Sequence, residues 1–242
     1  MRDLLKQSFA LTGLVKGLRQ IPFDLKRALW CIGRDRDIRE YLDTHKVRKL
    51  QIGAGYNMLD GWLNVDFNPH TRQPGQLYLD ATRRFPFPDA AFDYVFSEHM
   101  IEHIWWPDGQ TMLRESFRIL KPGGKVRIST PNLASITSLL DPPRTPIKEQ
   151  YLKLSTDKHI PHAVGYRPGF VINNFFWDFG HFFVYDAETL DLALRQAGFT
   201  QVQRWQPMQS DDPNFTGIES HQKIVGEEVN VLESIILQGV KA

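Results

Sequence analysis

Ile52-Gly53-Ala54-Gly55, then Asp66, Asp80, Phe92-Asp93-Tyr94-Val95-Phe96-Ser97-Glu98-His99 and Ile119-Leu120-Lys121-Pro122-Gly123-Gly124 leading into Val126-Arg127-Ile128-Ser129 follow one another in this order, and the order decides the fold. Around them, Leu50–Ile52, Leu63–Val65, Leu77–Leu79, Tyr94–Phe96 and Val126–Ile128 are short apolar runs that read as buried strands. Between the last two, Met112, Leu113, Phe117 and Leu120 form a helical apolar stripe, which the Lys-Pro-Gly-Gly run stops. Strands alternating with helices predict an α/β domain built on a doubly wound, mostly parallel sheet.

The flanks are less regular. Residues 1–46 read as an N-terminal helical arm. Leu4, Leu11, Val15 and Leu18 recur at helical spacing among Lys6, Lys16 and Arg19; Pro22 interrupts, and a second helix is expected over Phe23–Trp30. Such a basic amphipathic helix either lies on a membrane surface as a weak peripheral contact, or packs on the core, lids a ligand or pairs with another subunit. Residues 47–242 form the main domain. After the fifth strand, Asp141-Pro142-Pro143-Arg144-Thr145-Pro146 opens an insertion of about residues 141–183, dense in His159, His162, Tyr166, Phe175, Phe176, Trp177 and His181. Next comes a helix capped by Asp186, with a stripe of Leu190, Ala193, Leu194 and Ala197, ended by Gly198. Ser234–Leu237 reads as a last strand.

The 242 residues suffice for one α/β domain with insertions. A net charge of +1 and the absence of a basic-aromatic stripe argue against a nucleic-acid partner. Cys31 is the only cysteine, so no intrachain disulfide and no cysteine-based zinc site can form, and a cytoplasmic setting is expected. The sequence contains neither a membrane-spanning apolar run nor a signal peptide.

In doubly wound sheets, ligands bind at the carboxyl ends of the strands. Gly53 and Gly55, with small Ala54 between them, let the backbone approach a ligand closely. Asp66, ending the second strand, can accept hydrogen bonds from two ribose hydroxyls, and Asp80-Ala81, ending the third, can meet an adenine amino group. Each acid alone could equally be a turn or cap residue. Together with Phe85-Pro86-Phe87-Pro88-Asp89, Phe92-Asp93-Tyr94-Val95, His99 with Glu102-His103, and Leu120-Lys121-Pro122-Gly123-Gly124, they resemble the class I S-adenosylmethionine-dependent methyltransferases, in particular the type 11 group. The resemblance covers about residues 47–132, with a looser echo over Leu190–Phe199. It implies a Rossmann-like fold, S-adenosyl-L-methionine as cofactor, and a cofactor site of Gly53, Ala54, Gly55, Asp66, Phe67, Asp80, Ala81 and Ser97. Gly61-Trp62-Leu63-Asn64-Val65-Asp66 is similar to a run in predicted methyltransferases of polysaccharide-assembly gene clusters, which implies a glycan or small-molecule acceptor.

The chain departs from that family twice. Gln51 stands where an acid usually opens the glycine loop, and only eleven positions separate Gly55 from Asp66, so Asn57 to Trp62 can form a turn at most and the first crossover helix is lost. The short spacing disfavours a nicotinamide dinucleotide, whose pyrophosphate needs a helix N-terminus. The alternatives are an oxidoreductase and a binding or scaffold module without turnover.

Methyl transfer from a sulfonium depends mainly on alignment, and a hydroxyl acceptor calls for a general base. His99 is the first candidate base. His103 would share a helix face with it, and Glu98 would act as the orienting carboxylate, with Glu102 four residues further on. The opposing reading is a capped helix start in which His103 packs on Trp105 and Trp106. Tyr166, Trp177 and His181 are the candidate acceptor-binding residues; Tyr166, Trp177 and Phe182 either stack on an acceptor or form the underside of a lid. No tight metal-ligand motif occurs and no metal is assigned, although Glu98, His103, His181, Glu219 and His221 are the residues that would converge on one.

Overall fold

The computed structural model describes residues 21–242, so the expected stripe from Leu4 to Leu18 lies outside the described residues. Residues 21–30 are helical and make α1, Arg34–Thr44 form α2, and the sheet follows. Its strands are β1 (Lys49–Ile52), β2 (Leu63–Asp66), β3 (Leu77–Tyr78), β4 (Phe92–Glu98), β5 (Leu120–Pro131), β6 (Thr200–Trp205) and β7 (Ser234–Val240). The seven strands stand in the order β3-β2-β1-β4-β5-β7-β6. Pairings from β3 through β5 are parallel, whereas β7 runs antiparallel to both β5 and β6. The fold is therefore a Rossmann-like α/β sheet, and strand order reverses between β1 and β4, where such sheets bind ligands.

The central strands are apolar because helices cover them on both faces. Leu50, Ile52, Phe92, Val95, Val126 and Ile128 are buried, and the helix α3 (Trp106–Ile119) turns Met112, Leu113, Ser116 and Ile119 onto them. The expected cap at Asp186 forms: its carboxylate accepts from the Thr189 amide at 2.7 Å and starts α6 (Ala187–Gln196), named after the two insertion helices below. Beyond the end of that helix, Gly198 has φ +109°, and a Cβ there would come within 2.9 Å of the Phe117 ring. The helix terminus is thereby fixed against α3.

The first crossover contains no helix, as the short spacing predicts. Residues 53–62 turn directly from β1 into its parallel neighbour β2. Side chains satisfy the backbone that a helix would have satisfied. Asn64 Oδ1 accepts from the Leu59 amide, and Asn64 Nδ2 donates to the Leu59 and Trp62 carbonyls. Gln51 Nε2 donates to the Asn57 carbonyl at 2.9 Å. The sheet face left bare carries Trp62 and Phe96, and Phe215, from the long connection between β6 and β7, packs against both. Buried Arg127 and Glu219 pin that connection: Arg127 Nε donates to Glu219 Oε1 at 2.5 Å, and Glu219 Oε2 accepts from the Met208 amide.

Residues 141–183 carry two helices, α4 (Pro146–His159) and α5 (Pro168–Trp177), which join Ile136, Leu139 and Val229 in a second apolar cluster beside the main core. Neither helix was anticipated from the sequence, nor was β6. The apolar residues of α4 do not form a clean stripe, and β6 is short and largely exposed.

Candidate functional site

At the β1–β4 switch point a cleft of about 690 Å³ opens, within the size range of small-molecule sites. Gly53, Gly55, Asp66, Phe67, Asp80, Ala81, His99 and His103 line it. Ala54 and Ser97 do not: Ala54 is buried beneath the loop, and Ser97 is fully buried in β4.

The glycine loop is shaped by its contacts with β2. The Gly53 and Ala54 amides donate to the Val65 carbonyl, and the Gly55 amide donates to Asp66 Oδ2 at 2.8 Å. Gly53 has φ +73°, and a Cβ there would lie 2.4 Å from Met100 Cγ. Gly55 has φ +50°, and no atom of the described residues lies within 4 Å of an added Cβ, so its backbone faces the cleft. Asp66 Oδ1 accepts from the Asn68 amide, which fixes the carboxylate while leaving lone pairs free for a diol. Asp80 Oδ1 accepts from the Thr82 amide and hydroxyl, and its Oδ2 faces Arg83 at 3.1 Å. Phe67, 41 % exposed at the rim, lies under the Arg27 guanidinium at 4.3 Å. Two glycines lining the cleft and two acids ending adjacent strands suit a nucleoside with an amino-acid tail. Gln51 points away, to Asn57, and so braces the short turn instead of lining the cleft.

At the inner end of the cleft, His99 sits at the end of β4 with φ +47°, a left-handed conformation uncommon for a residue with a Cβ. Its Nδ1 stands 3.4 Å from Glu102 Oε1, its Nε2 is 3.2 Å from Ser234 Oγ, and its ring stacks on His221 at 3.8 Å. Burial alone would lower the pKa of His99, but Glu102, Glu233 and Glu98 outweigh it and hold the imidazole above its ordinary value. Glu102, fully buried, is held below the ordinary carboxylate range: His99 and His103 overcome the burial that opposes its ionisation.

The expected α-helix linking His99 to His103 is not formed. Ile101–His103 is a 3₁₀ turn, and α3 starts only at Trp106. Glu102 connects the two histidines, with Oε1 3.9 Å from His103 Nε2. Glu98 turns the other way; its carboxylate accepts from the Ser220 amide and hydroxyl and from the His221 amide. His103 contacts the His181 ring, centroids 4.9 Å apart, while Trp105 meets Phe182 at the cleft mouth.

Behind the cleft lies a second cavity of about 290 Å³, sharing His99 and His103 with it and lined further by Glu102, His159, His181, His221 and Glu233. Of the three candidate acceptor residues, only His181 reaches it. Tyr166 lies at the surface, its hydroxyl accepting from Lys153 Nζ, and Trp177 is 80 % exposed. Glu233 and Ser234 were not anticipated as neighbours of the site, because the chain returns to it at the start of β7 and no local pattern announces that return.

Residues 60–128 match the family model described as a methyltransferase domain. A protein of Mycolicibacterium smegmatis named as a probable S-adenosylmethionine-dependent methyltransferase is 33 % identical over 81 residues, 34 % of this chain and 31 % of its own length. Phosphoethanolamine N-methyltransferase 2 of Caenorhabditis elegans is 47 % identical over 45 residues, 19 % of this chain and 10 % of its own. The alignments therefore span less than a third of each of these relatives. Among solved structures, an S-adenosylmethionine-dependent methyltransferase of Archaeoglobus fulgidus superposes with a TM-score of 0.49 at 18 % identity, covering 93 % of this chain and 99 % of that one.

Proposed function

We propose that the protein is an S-adenosylmethionine-dependent methyltransferase acting on a hydroxyl of a small-molecule or glycan acceptor. The observation that carries this reading is the Gly55 amide bound to Asp66 beside an open cleft at the strand-order switch, within a chain whose residues 60–128 match a methyltransferase domain. Asp66 would receive the ribose hydroxyls, Asp80 and Ala81 the adenine, and the Gly53–Gly55 backbone the amino-acid tail. When bound, S-adenosylmethionine supplies an electrophilic methyl group on a sulfonium. His99 would accept the acceptor's proton, with Glu102 orienting its ring from 3.4 Å. A base of this kind contributes about 10²–10⁴-fold, and alignment contributes more. His181 and the second cavity would receive part of the acceptor.

Calorimetric titration with S-adenosylmethionine, its demethylated product and NAD, on wild type and Asp66→Ala, tests the reading. Binding of the first two at micromolar levels, lost in the variant, supports it. Binding of NAD alone overturns it in favour of an oxidoreductase, and binding of none of the three in favour of a scaffold.

A further inference from the structure

We propose that Glu102, His103 and His181 form a binding site for a divalent transition-metal cation of the zinc or ferrous type. It would sit at the boundary between the cleft and the second cavity. One donor atom from each residue lies within 4.8 Å of the other two.

The hydrogen-bond partners show which atoms are free. His103 Nδ1 is 3.1 Å from the Gly180 carbonyl. A carbonyl can only accept, so Nδ1 carries the proton and Nε2 turns a lone pair toward Glu102. His181 Nδ1 is buried without a hydrogen-bond partner among the described residues. Glu102 Oε2 accepts from the Thr130 hydroxyl at 3.0 Å, whereas the buried Oε1 accepts no hydrogen bond of normal geometry. Glu102 Oε1, His103 Nε2 and a nitrogen of His181 thus converge, one being a fully buried carboxylate oxygen with His99 Nδ1 3.4 Å from it. Buried polar atoms without full hydrogen bonding are costly, and a cation would satisfy the Glu102 oxygen and the histidine nitrogens together. The Gly180 carbonyl bound to the outer nitrogen of His103 is the usual support of a metal-ligating imidazole.

The donor set, two imidazoles and one carboxylate, is that of zinc and ferrous sites with open positions. Donors about 2.1 Å from a metal stand roughly 3.4 Å apart, so the 3.9 Å between Glu102 and His103 closes with a small side-chain rotation. The remaining coordination positions face the cavities, where a bound oxygen would be acidified. His99, on the far side of the same carboxylate oxygen, would then steady Glu102.

A second cluster, His99, His221 and Glu233, does not share this character. His221 Nε2 and Glu233 Oε1 contact each other directly, and the two imidazoles stack face to face with 28° between their planes. With these two donor atoms already turned on each other, the first cluster is the one assigned.

The test uses the untagged full chain, stripped with a chelator and titrated with Zn²⁺ against a fluorescent chelator. Cobalt(II) absorption reports ligand geometry, and binding of the demethylated cofactor product is read on the same samples. The proposal expects one tight Zn²⁺ per chain, weakened at least about 100-fold by His103→Ala and by His181→Ala and unchanged by His221→Ala. Absence of stoichiometric binding at micromolar Zn²⁺ overturns it, as does binding that survives His103→Ala or is lost in His221→Ala. His103 is 42 % exposed, so its variant keeps the fold and decides the matter if His181→Ala does not. The metal readout stands whether or not the cofactor product binds.

Discussion

Met100 Cγ occupies the space next to Gly53 so closely that a Cβ on the glycine would lie 2.4 Å from it. The glycine is needed twice over, for this contact and for its φ of +73°. Gly53→Ala should therefore move Met100 or the loop and weaken cofactor binding by at least about tenfold, with strain of about 1–3 kcal/mol. Calorimetry on Gly53→Ala and on the double variant with Met100→Gly separates the two causes, because the second substitution removes both the Cγ and the Cβ of Met100, which would lie 2.4 and 2.7 Å away, and leaves the strain at position 53.

Asn64 substitutes for the missing crossover helix by satisfying three backbone groups. Asn64→Ala orphans them beside a buried strand, at about 1–3 kcal/mol for each group that water cannot reach. Denaturant unfolding should show a lower midpoint with an unchanged slope, and a change below about 0.5 kcal/mol would mean that the turn re-pairs its own backbone.

If His99 is the base, replacing it should slow methyl transfer about 10²–10⁴-fold while affinity for the demethylated cofactor product stays within a few-fold. His99→Asn is the suitable variant, since asparagine tolerates the left-handed backbone found there. Equal losses in affinity and rate would mark the residue as structural.

The Arg127–Glu219 pair is fully buried and ties the β6–β7 connection to the sheet. Removing one partner leaves an uncompensated charge, so Glu219→Gln and Arg127→Met should each cost about 3–5 kcal/mol. The double replacement should recover much of that loss, which a double-mutant cycle in urea would reveal.

Acid should destabilise the protein through carboxylates held below their ordinary pKa, among them Asp186, Glu115 and Asp212. Thr189 at the helix start lowers Asp186. Burial opposes ionisation of Glu115 and Asp212, but Arg118 and the Phe85 amide for the first, and the Asn214 amide and Lys125 for the second, outweigh it. A depressed folded pKa contributes stability that is complete above the unfolded value and lost as pH falls through the folded one. Thermal midpoints should therefore drop as pH falls below about 4. Asp186→Asn, which keeps a cap, should flatten part of that slope.

The parallel half of the sheet was legible because its strands are buried apolar runs closed by glycines and acids, and the eleven-residue step from Gly55 to Asp66 exposed the missing helix. Gly53, Gly55, Asp66 and Asp80 lie at adjacent strand ends, so topology alone brings them together. The acceptor side was less legible. Tyr166 and Trp177 looked like stacking platforms but face solvent, since aromatic residues signal burial without saying against what. Glu102 and His181 meet only because the Phe182 and Phe183 amides bind the Glu102 carbonyl, a contact between distant segments that no local spacing encodes. The partner of Glu98 was hidden for the same reason, as Ser220 reaches it from the far end of the chain.

Phe215 covers the sheet face that a first crossover helix would have covered, and this bears on how the chain is made. Synthesis runs from the N-terminus at roughly 5–20 residues per second, so Trp62 and Phe96 leave the ribosome well before the residue that shelters them. During that interval the nascent sheet presents an aromatic patch to the surrounding solution. The protein's dependence on chaperones should therefore reside in its last stretch, and chains stalled before Phe215 should be the ones that a holdase retains.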